Sequence, residues 1–129
     1  MASDRLETGK WGEAEAAKYL QRRGYRILEK RWRYGRGEID LIARVGRVLV
    51  FVEVRARTQE ETGMGLYYSI GRRKWGVLRR TALAYARGCS WKPEALRYDV
   101  VGIERGRDGS LGQVHHWQDV GAIGDRVRL

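Results

Sequence analysis

Two carboxylates stand where a folding chain should avoid them. In the stretch Gly37 to Arg57, GEIDLIARVGRVLVFVEVRAR, Asp40 and Glu53 each interrupt an apolar run. Glycine at the first central position of a two-residue turn is the type II′ hairpin signature, and Gly46 followed by Arg47 fits it. That turn pairs Val45 with Val48, and counting outward sets Asp40 opposite Glu53 and Glu38 opposite Arg55. Directly opposed residues have Cβ atoms about 4.5 to 5.5 Å apart, so like charges there repel by on the order of 3 kcal/mol at an effective dielectric of about 20. The neighbouring run Val48 to Val52 reads as a strand buried on both faces, which denies the pair full solvation. A cation between the acids removes the conflict. A hard divalent ion such as Mg²⁺ accepts carboxylate oxygens and fills its shell with water, and the shared face also recruits Glu38 and Arg55. The alternative is a wet strand end where Asp40 and Glu53 pair separately with arginines.

The elements that must position these acids follow in simple succession. Residues 9 to 23, GKWGEAEAAKYLQRR, carry Trp11, Ala14, Ala17 and Leu20 at helical spacing, and Gly24 stops the pattern. YRILEKRWRY then alternates as a strand, and YGRG turns the chain into the two strands of the hairpin. A second amphipathic helix is predicted over 69–87, with Ile70, Trp75, Leu78, Ala82 and Tyr85 on one side and arginines on the other, weakened by Gly71 and Gly76. TQEETGMGLYYS, before it, reads as a loop. LRYDVVGIE reads as a further strand, RGRDGSLG as a glycine-rich turn and QVHHWQDV as a last strand. Helix, three strands, helix and one or two strands make a small α/β fold with a mixed sheet.

At 129 residues the chain is long enough for one core and too short for two, so residues 1–129 read as a single domain. Its 26 Lys and Arg against 16 Asp and Glu leave a formal charge of +10. Such a field favours a polyanion, and arginine's planar fork suits phosphate, so nucleic acid is the leading partner class. A membrane partner is disfavoured: the basic residues are scattered along the chain, and no run approaches the roughly 18 apolar residues of a span. The N-terminal stretch has no apolar signal region, and the single cysteine, Cys89, allows neither an intramolecular disulfide nor a zinc knuckle. A cytoplasmic location is the expectation.

Asp40, then a strand ending in Glu53, Val54 and a basic Arg55, resembles the active-site signature of the PD-(D/E)xK nuclease superfamily. The fuller set GKWGEAEAAKYL, RWRYGRGEIDLIA, LVFVEVRAR, RRK and LRYDVV resembles the YraN-like bacterial family, itself similar to archaeal Holliday-junction resolvases, from Gly9 to Ile103. The resemblance implies a restriction-endonuclease-like core, a central mixed β-sheet flanked by helices. It also implies a divalent-metal-dependent endonuclease that hydrolyses phosphodiester bonds in structured or branched DNA, with Mg²⁺ or Mn²⁺ held by Asp40 and Glu53. Glu13 matches the place from which the resolvase-like branch supplies a third acid; without the resemblance it reads as a solvated glutamate near a helix N-terminus. Where the superfamily has lysine, this chain has Arg55, which stays charged and can only donate. Lys74 in the second helix is the candidate stand-in, and the other reading of Arg55 is a cross-strand pair with Glu38. A homodimer is a further implication, since a junction substrate is two-fold symmetric.

RRGYR, KRWRYGR and GRRKWGVLRR interleave basic and aromatic residues, as backbone contact combined with base stacking requires. At least half of these aromatics read equally as core and the arginines as a solvated face. Arg36, Arg57, Arg72 and Arg73 lie beside the predicted acids and are the expected phosphate contacts. His115 and His116 fall on opposite sides of a strand, so they read as structural, and Cys89 as an incidental thiol. Asp99 shares a face with Arg97 and is expected to pair with it locally. Two other functions fit the residues: a nucleic-acid-binding protein that keeps the nuclease fold with weak or no cleavage, because of Arg55, and a basic scaffold protein in which Asp40 and Glu53 are structural.

Overall fold

A computed structural model describes residues 2–58 and 72–120, with side chains from Glu7 to Thr58 and from Arg73 to Val120. The elements are α1 (Ala2–Arg22), β1 (Arg26–Tyr34), β2 (Gly37–Val45), β3 (Val48–Thr58), α2 (Arg72–Arg87), β4 (Ala95–Arg105) and β5 (Leu111–Trp117). The strands form one sheet in the order β1-β2-β3-β4-β5. β1, β2 and β3 are antiparallel neighbours, β3 and β4 run parallel, and β5 returns antiparallel to β4. The parallel pair needs a crossover, which contains α2. This is an α/β fold with a mixed sheet, consistent with a restriction-endonuclease-like core.

The β2–β3 hairpin has the predicted turn, and the predicted register holds from Val45–Val48 to Leu41–Val52; the expected Asp40–Glu53 and Glu38–Arg55 pairs are not part of the ladder. Gly46 has φ +58° while Arg47 is not in the left-handed region, as a type II′ turn requires, and Val45 pairs with Val48. β3 is buried on both sides. Val50 and Val52 join Ala16, Ala17, Leu20, Leu41 and Val101 under α1, whereas Leu49 and Phe51 join Ile42, Ala82 and Tyr98 under α2. That arrangement follows from a continuous apolar run at period two, which has no face left for water.

α1 ends at a Schellman cap around Gly24, with the Tyr25 amide donating to Leu20 O and the Gly24 amide to Gln21 O. Its other end corrects the prediction, since the helix begins at Ala2 instead of Gly9. Arg105 at the end of β4 anchors the added turns. It donates to Thr8 Oγ1, lies 3.5 Å from Glu7 and places its guanidinium over the Trp11 ring. The predicted start of the second helix at Ser69 and nearly all of the predicted loop fall outside the described residues. No helix among the described residues is long and apolar enough to cross a membrane.

Two glycines set how closely the helices lie on the sheet. A Cβ on Gly12 would stand 2.5 Å from Ala56 Cβ of β3, and one on Gly37 would run into Thr81 Oγ1 of α2. Glycine at these seats lets α1 carry Glu13 down to the sheet and lets α2 approach the start of β2.

Candidate functional site

The β-ladder changes character at Asp40. Pairs between β2 and β3 run from Val45–Val48 to Leu41–Val52 and stop there. One step further Asp40 uses its side chain instead: its Oδ2 accepts a hydrogen bond from the Val54 amide at 2.8 Å. Ile39 and Leu41, two residues apart, belong to the α2-side and α1-side clusters respectively, so the alternation expected of a strand breaks between them. On the other side, Lys30 pairs with Leu41 and Trp32 with Ile39, which places Arg31 across from Asp40. Arg31 has φ +51°, an uncommon left-handed conformation for arginine, and its Nε donates to Glu13 Oε1 at 2.8 Å. A helix glutamate and a strand aspartate are thereby gathered at one irregular point of the sheet.

Electrostatics at that point are strained. Burial pushes the Asp40 carboxyl up to about 6. The Val54 amide partly opposes this, and Glu13, Glu53 and Glu38 add repulsion. Glu53 projects toward α2, where Lys74 Nζ lies 2.5 Å from its Oε1. Its other oxygen, Oε2, is buried and has no hydrogen-bond partner among the described residues. The Tyr98 hydroxyl is in the same condition, and burial pushes its pKa up to about 12, so it remains an O–H donor. Both residues line one cleft, open to solvent, together with Asp40, Trp75 and Leu78. Two buried oxygens without a hydrogen-bond partner thus belong to residues that line one cleft.

Asp40 and Glu53 are the two carboxylates that would have to hold a divalent cation here. No cluster of three or more His, Cys, Asp or Glu residues suited to a metal occurs among the described residues, so a closed all-protein cage is not what this site offers. Mg²⁺ commonly uses one or two carboxylates and keeps water for the rest of its shell. Asp40 has a destabilised charge and Glu53 a spare buried oxygen.

The remaining predicted residues divide. Arg55 is half-buried on β3, two residues beyond Glu53 and on its face by strand alternation. Glu38, its suggested partner, accepts a hydrogen bond from Arg33 Nε at 2.8 Å. Arg36 is exposed in the β1–β2 turn and Arg73 is exposed on α2. Arg57 is half-buried and donates to Ala56 O at 2.9 Å, so part of its guanidinium is already engaged. Arg72 opens α2, but its side chain lies outside the described residues. Arg31 was not singled out from the sequence: its left-handed backbone follows from the sheet around it, and no residue type announces it.

A second polar network centres on Asp99, which also lines the cleft. Asp99, 1% exposed, accepts from both Arg97 Nε and Nη2, hydrogen-bonds His116 Nε2 at 2.7 Å and accepts from the Asp119 amide. The local Asp99–Arg97 pair is as predicted. His115 meets Glu104 instead, so the two histidines serve different partners.

A family model with the description "Uncharacterised protein family UPF0102" matches residues 12–103, from Gly12 within α1 through α2 and strands β1 to β4 up to Ile103. The chain belongs to the UPF0102 family. This is the YraN-like family anticipated from the motifs. A UPF0102 protein of Roseiflexus castenholzii is 50% identical over 117 residues, covering 90% of this chain and 94% of that relative. One from Pelotomaculum thermopropionicum is 39% identical over 119 residues, covering 92% and 98%. One from Anaeromyxobacter dehalogenans is 43% identical over 102 residues, covering 79% and 75%. The UPF0102 match includes every residue of the irregular point just described: Glu13, Arg31, Asp40, Glu53 and Lys74.

Proposed function

We propose that this UPF0102 protein is a divalent-metal-dependent endonuclease that hydrolyses phosphodiester bonds in structured or branched DNA. The observation that carries the reading is the pairing in one open cleft of an aspartate whose charge the fold opposes with a glutamate that has a buried, unpartnered oxygen. Asp99 has every neighbour it needs; Asp40 has one backbone amide against burial and three nearby acids, and Glu53 has Lys74 on one oxygen and no partner on the other.

Asp40 and Glu53 would hold Mg²⁺ or Mn²⁺. When bound, such an ion lowers the pKa of an attacking water and steadies the charge that develops on phosphoryl oxygens. The chain's own groups would supply the rest. Glu13, held by Arg31, would position the attacking water. Lys74 and Arg55 are the cations on the Glu53 side that would face the growing negative charge, Lys74 as a compact donor and Arg55 as a permanently charged one. Arg36 and Arg73, both exposed, would hold flanking phosphates, and the excess of positive charge over the whole chain would speed encounter with DNA. A homodimer would present two such clefts to a two-fold junction.

The test is cleavage of labelled branched, duplex and single-stranded DNA with Mg²⁺ or Mn²⁺, wild type beside Asp40→Asn and Glu53→Gln. Metal-dependent cleavage that both substitutions abolish is the expected result. Salt-sensitive binding with no cleavage of any substrate would instead favour a nucleic-acid-binding role, for which the permanent charge of Arg55 is the supporting observation.

A further inference from the structure

Aromatic rings on the α2 side of the sheet form a continuous row from the surface to the cleft. Tyr34, at the end of edge strand β1, is 56% exposed. Its ring lies parallel to that of Trp32, 3° between planes and 6.2 Å between centroids. Trp32 stands edge-on to Tyr85, which meets Phe51, which stacks on Tyr98, which meets Trp75. Phe51, Tyr98 and Trp75 line the cleft that contains Asp40 and Glu53.

The inner rings are core. Tyr34 is not, and single exposed aromatics on a surface ordinarily need no explanation. Three features set this one apart. Its ring runs parallel to that of Trp32, and an aromatic ring offers contact area at little cost in conformational freedom. Its strand and the following turn carry Lys30 and Arg36, both exposed, so positive charge stands on either side of the platform, while Arg33 between them is paired with Glu38. It also lies close to the cleft: Tyr34 pairs with Gly37, three residues before Asp40, about 10 Å along the strand. That is the span of about three stacked nucleotides at roughly 3.4 Å per step.

We propose that Tyr34, backed by Trp32, is a stacking platform for an unpaired nucleobase. The substrate class that follows is nucleic acid with a single-stranded segment about three nucleotides to one side of the phosphate at Asp40 and Glu53. A base inside a duplex has both faces covered by its neighbours, whereas an unpaired base offers a face to the ring, and the flanking Lys30 and Arg36 attract its backbone. This deepens the nuclease reading and rests on it for the position of the phosphate.

The test measures binding by fluorescence anisotropy in chelated buffer, where no cleavage occurs, using a labelled single-stranded oligonucleotide and a blunt duplex of the same sequence. Tyr34→Ala should weaken single-strand binding by about 5- to 150-fold, the loss of one base–aromatic stack, and change duplex binding by less than about twofold. Tyr34→Trp should restore single-strand binding; both variants keep an exposed edge position, and circular dichroism checks their fold. Equal losses on both probes, no loss on either, failure of Trp to rescue, or a wild type that binds neither probe would each overturn the proposal. Cleavage by Asp40→Asn and wild type is read separately. A Tyr34-dependent single-strand preference without any metal-dependent cleavage would keep the platform and remove the nuclease. Cleavage that Tyr34→Ala leaves unchanged on both substrate types would do the reverse.

Discussion

Neutralising Asp40 should make the protein more stable. Its carboxyl rises from an ordinary 3.8 to about 6, chiefly through burial, with the Val54 amide opposing and Glu13, Glu53 and Glu38 reinforcing. A rise of about two pH units, at 1.36 kcal/mol each, is on the order of 3 kcal/mol. The folded state holds this proton to higher pH than the unfolded chain does. Below about pH 3.8 Asp40 is neutral in both states and costs nothing; as pH rises to about 6 the cost builds, and above that it is constant. Asparagine keeps an oxygen to accept the Val54 N–H and removes the charge. Asp40→Asn should therefore exceed wild type by about 3 kcal/mol near neutral pH, a Tm about 10 °C higher, with the advantage fading toward pH 4. Urea unfolding of both proteins in chelated buffer across that pH range measures it. Saturating Mg²⁺ should then stabilise wild type and leave the variant unmoved. An Asp40→Asn protein that is less stable at neutral pH, or more stable by the same amount at every pH, would refute the argument that this acid is held against its own electrostatics.

Asp99 provides the opposite case on the same sheet. Burial alone would raise its pKa, but hydrogen bonds from His116, Arg97 and the Asp119 amide outweigh that and hold it below the usual range. Its contribution to stability is therefore present at neutral pH and lost as pH falls through the depressed value. Asp99→Asn should cost about 3 kcal/mol or more at neutral pH by leaving the Arg97 charge poorly matched, and equilibrium unfolding that shows a gain would contradict it. Lys74→Met should destabilise the metal-free protein by only about 1 kcal/mol, because Lys74 is half exposed. Removing this competing cation from Glu53 should also tighten Mg²⁺ binding several-fold while slowing cleavage. Calorimetry that finds weaker Mg²⁺ binding would show that Lys74 supports the site instead of competing for it.

What the sequence determined was local. A glycine at one turn position, with period-two alternation on either side, was enough to set the hairpin register from Val45–Val48 outward. From that register alone the opposition of Asp40 to Glu53 could be counted. The all-apolar run of β3 likewise announced a strand covered by helices on both faces.

The rest needed contacts between residues far apart in the chain. The ladder stops just where the counting placed Asp40, because its carboxylate takes the Val54 N–H in place of a backbone carbonyl. Arg31 is forced into a left-handed conformation by its place in β1, and only then does it reach Glu13 on α1. Lys74 meets Glu53 because the crossover to parallel strand β4 lays α2 along β3. The first turns of α1 are helical where propensity gave no signal, because Arg105, at the far end of β4, grips Thr8 and Glu7. Periodicity and turn chemistry are properties of neighbours in sequence. The strength of a charge at Asp40 depends on which side chains the closed fold brings around it, and that was decided only by the tertiary structure.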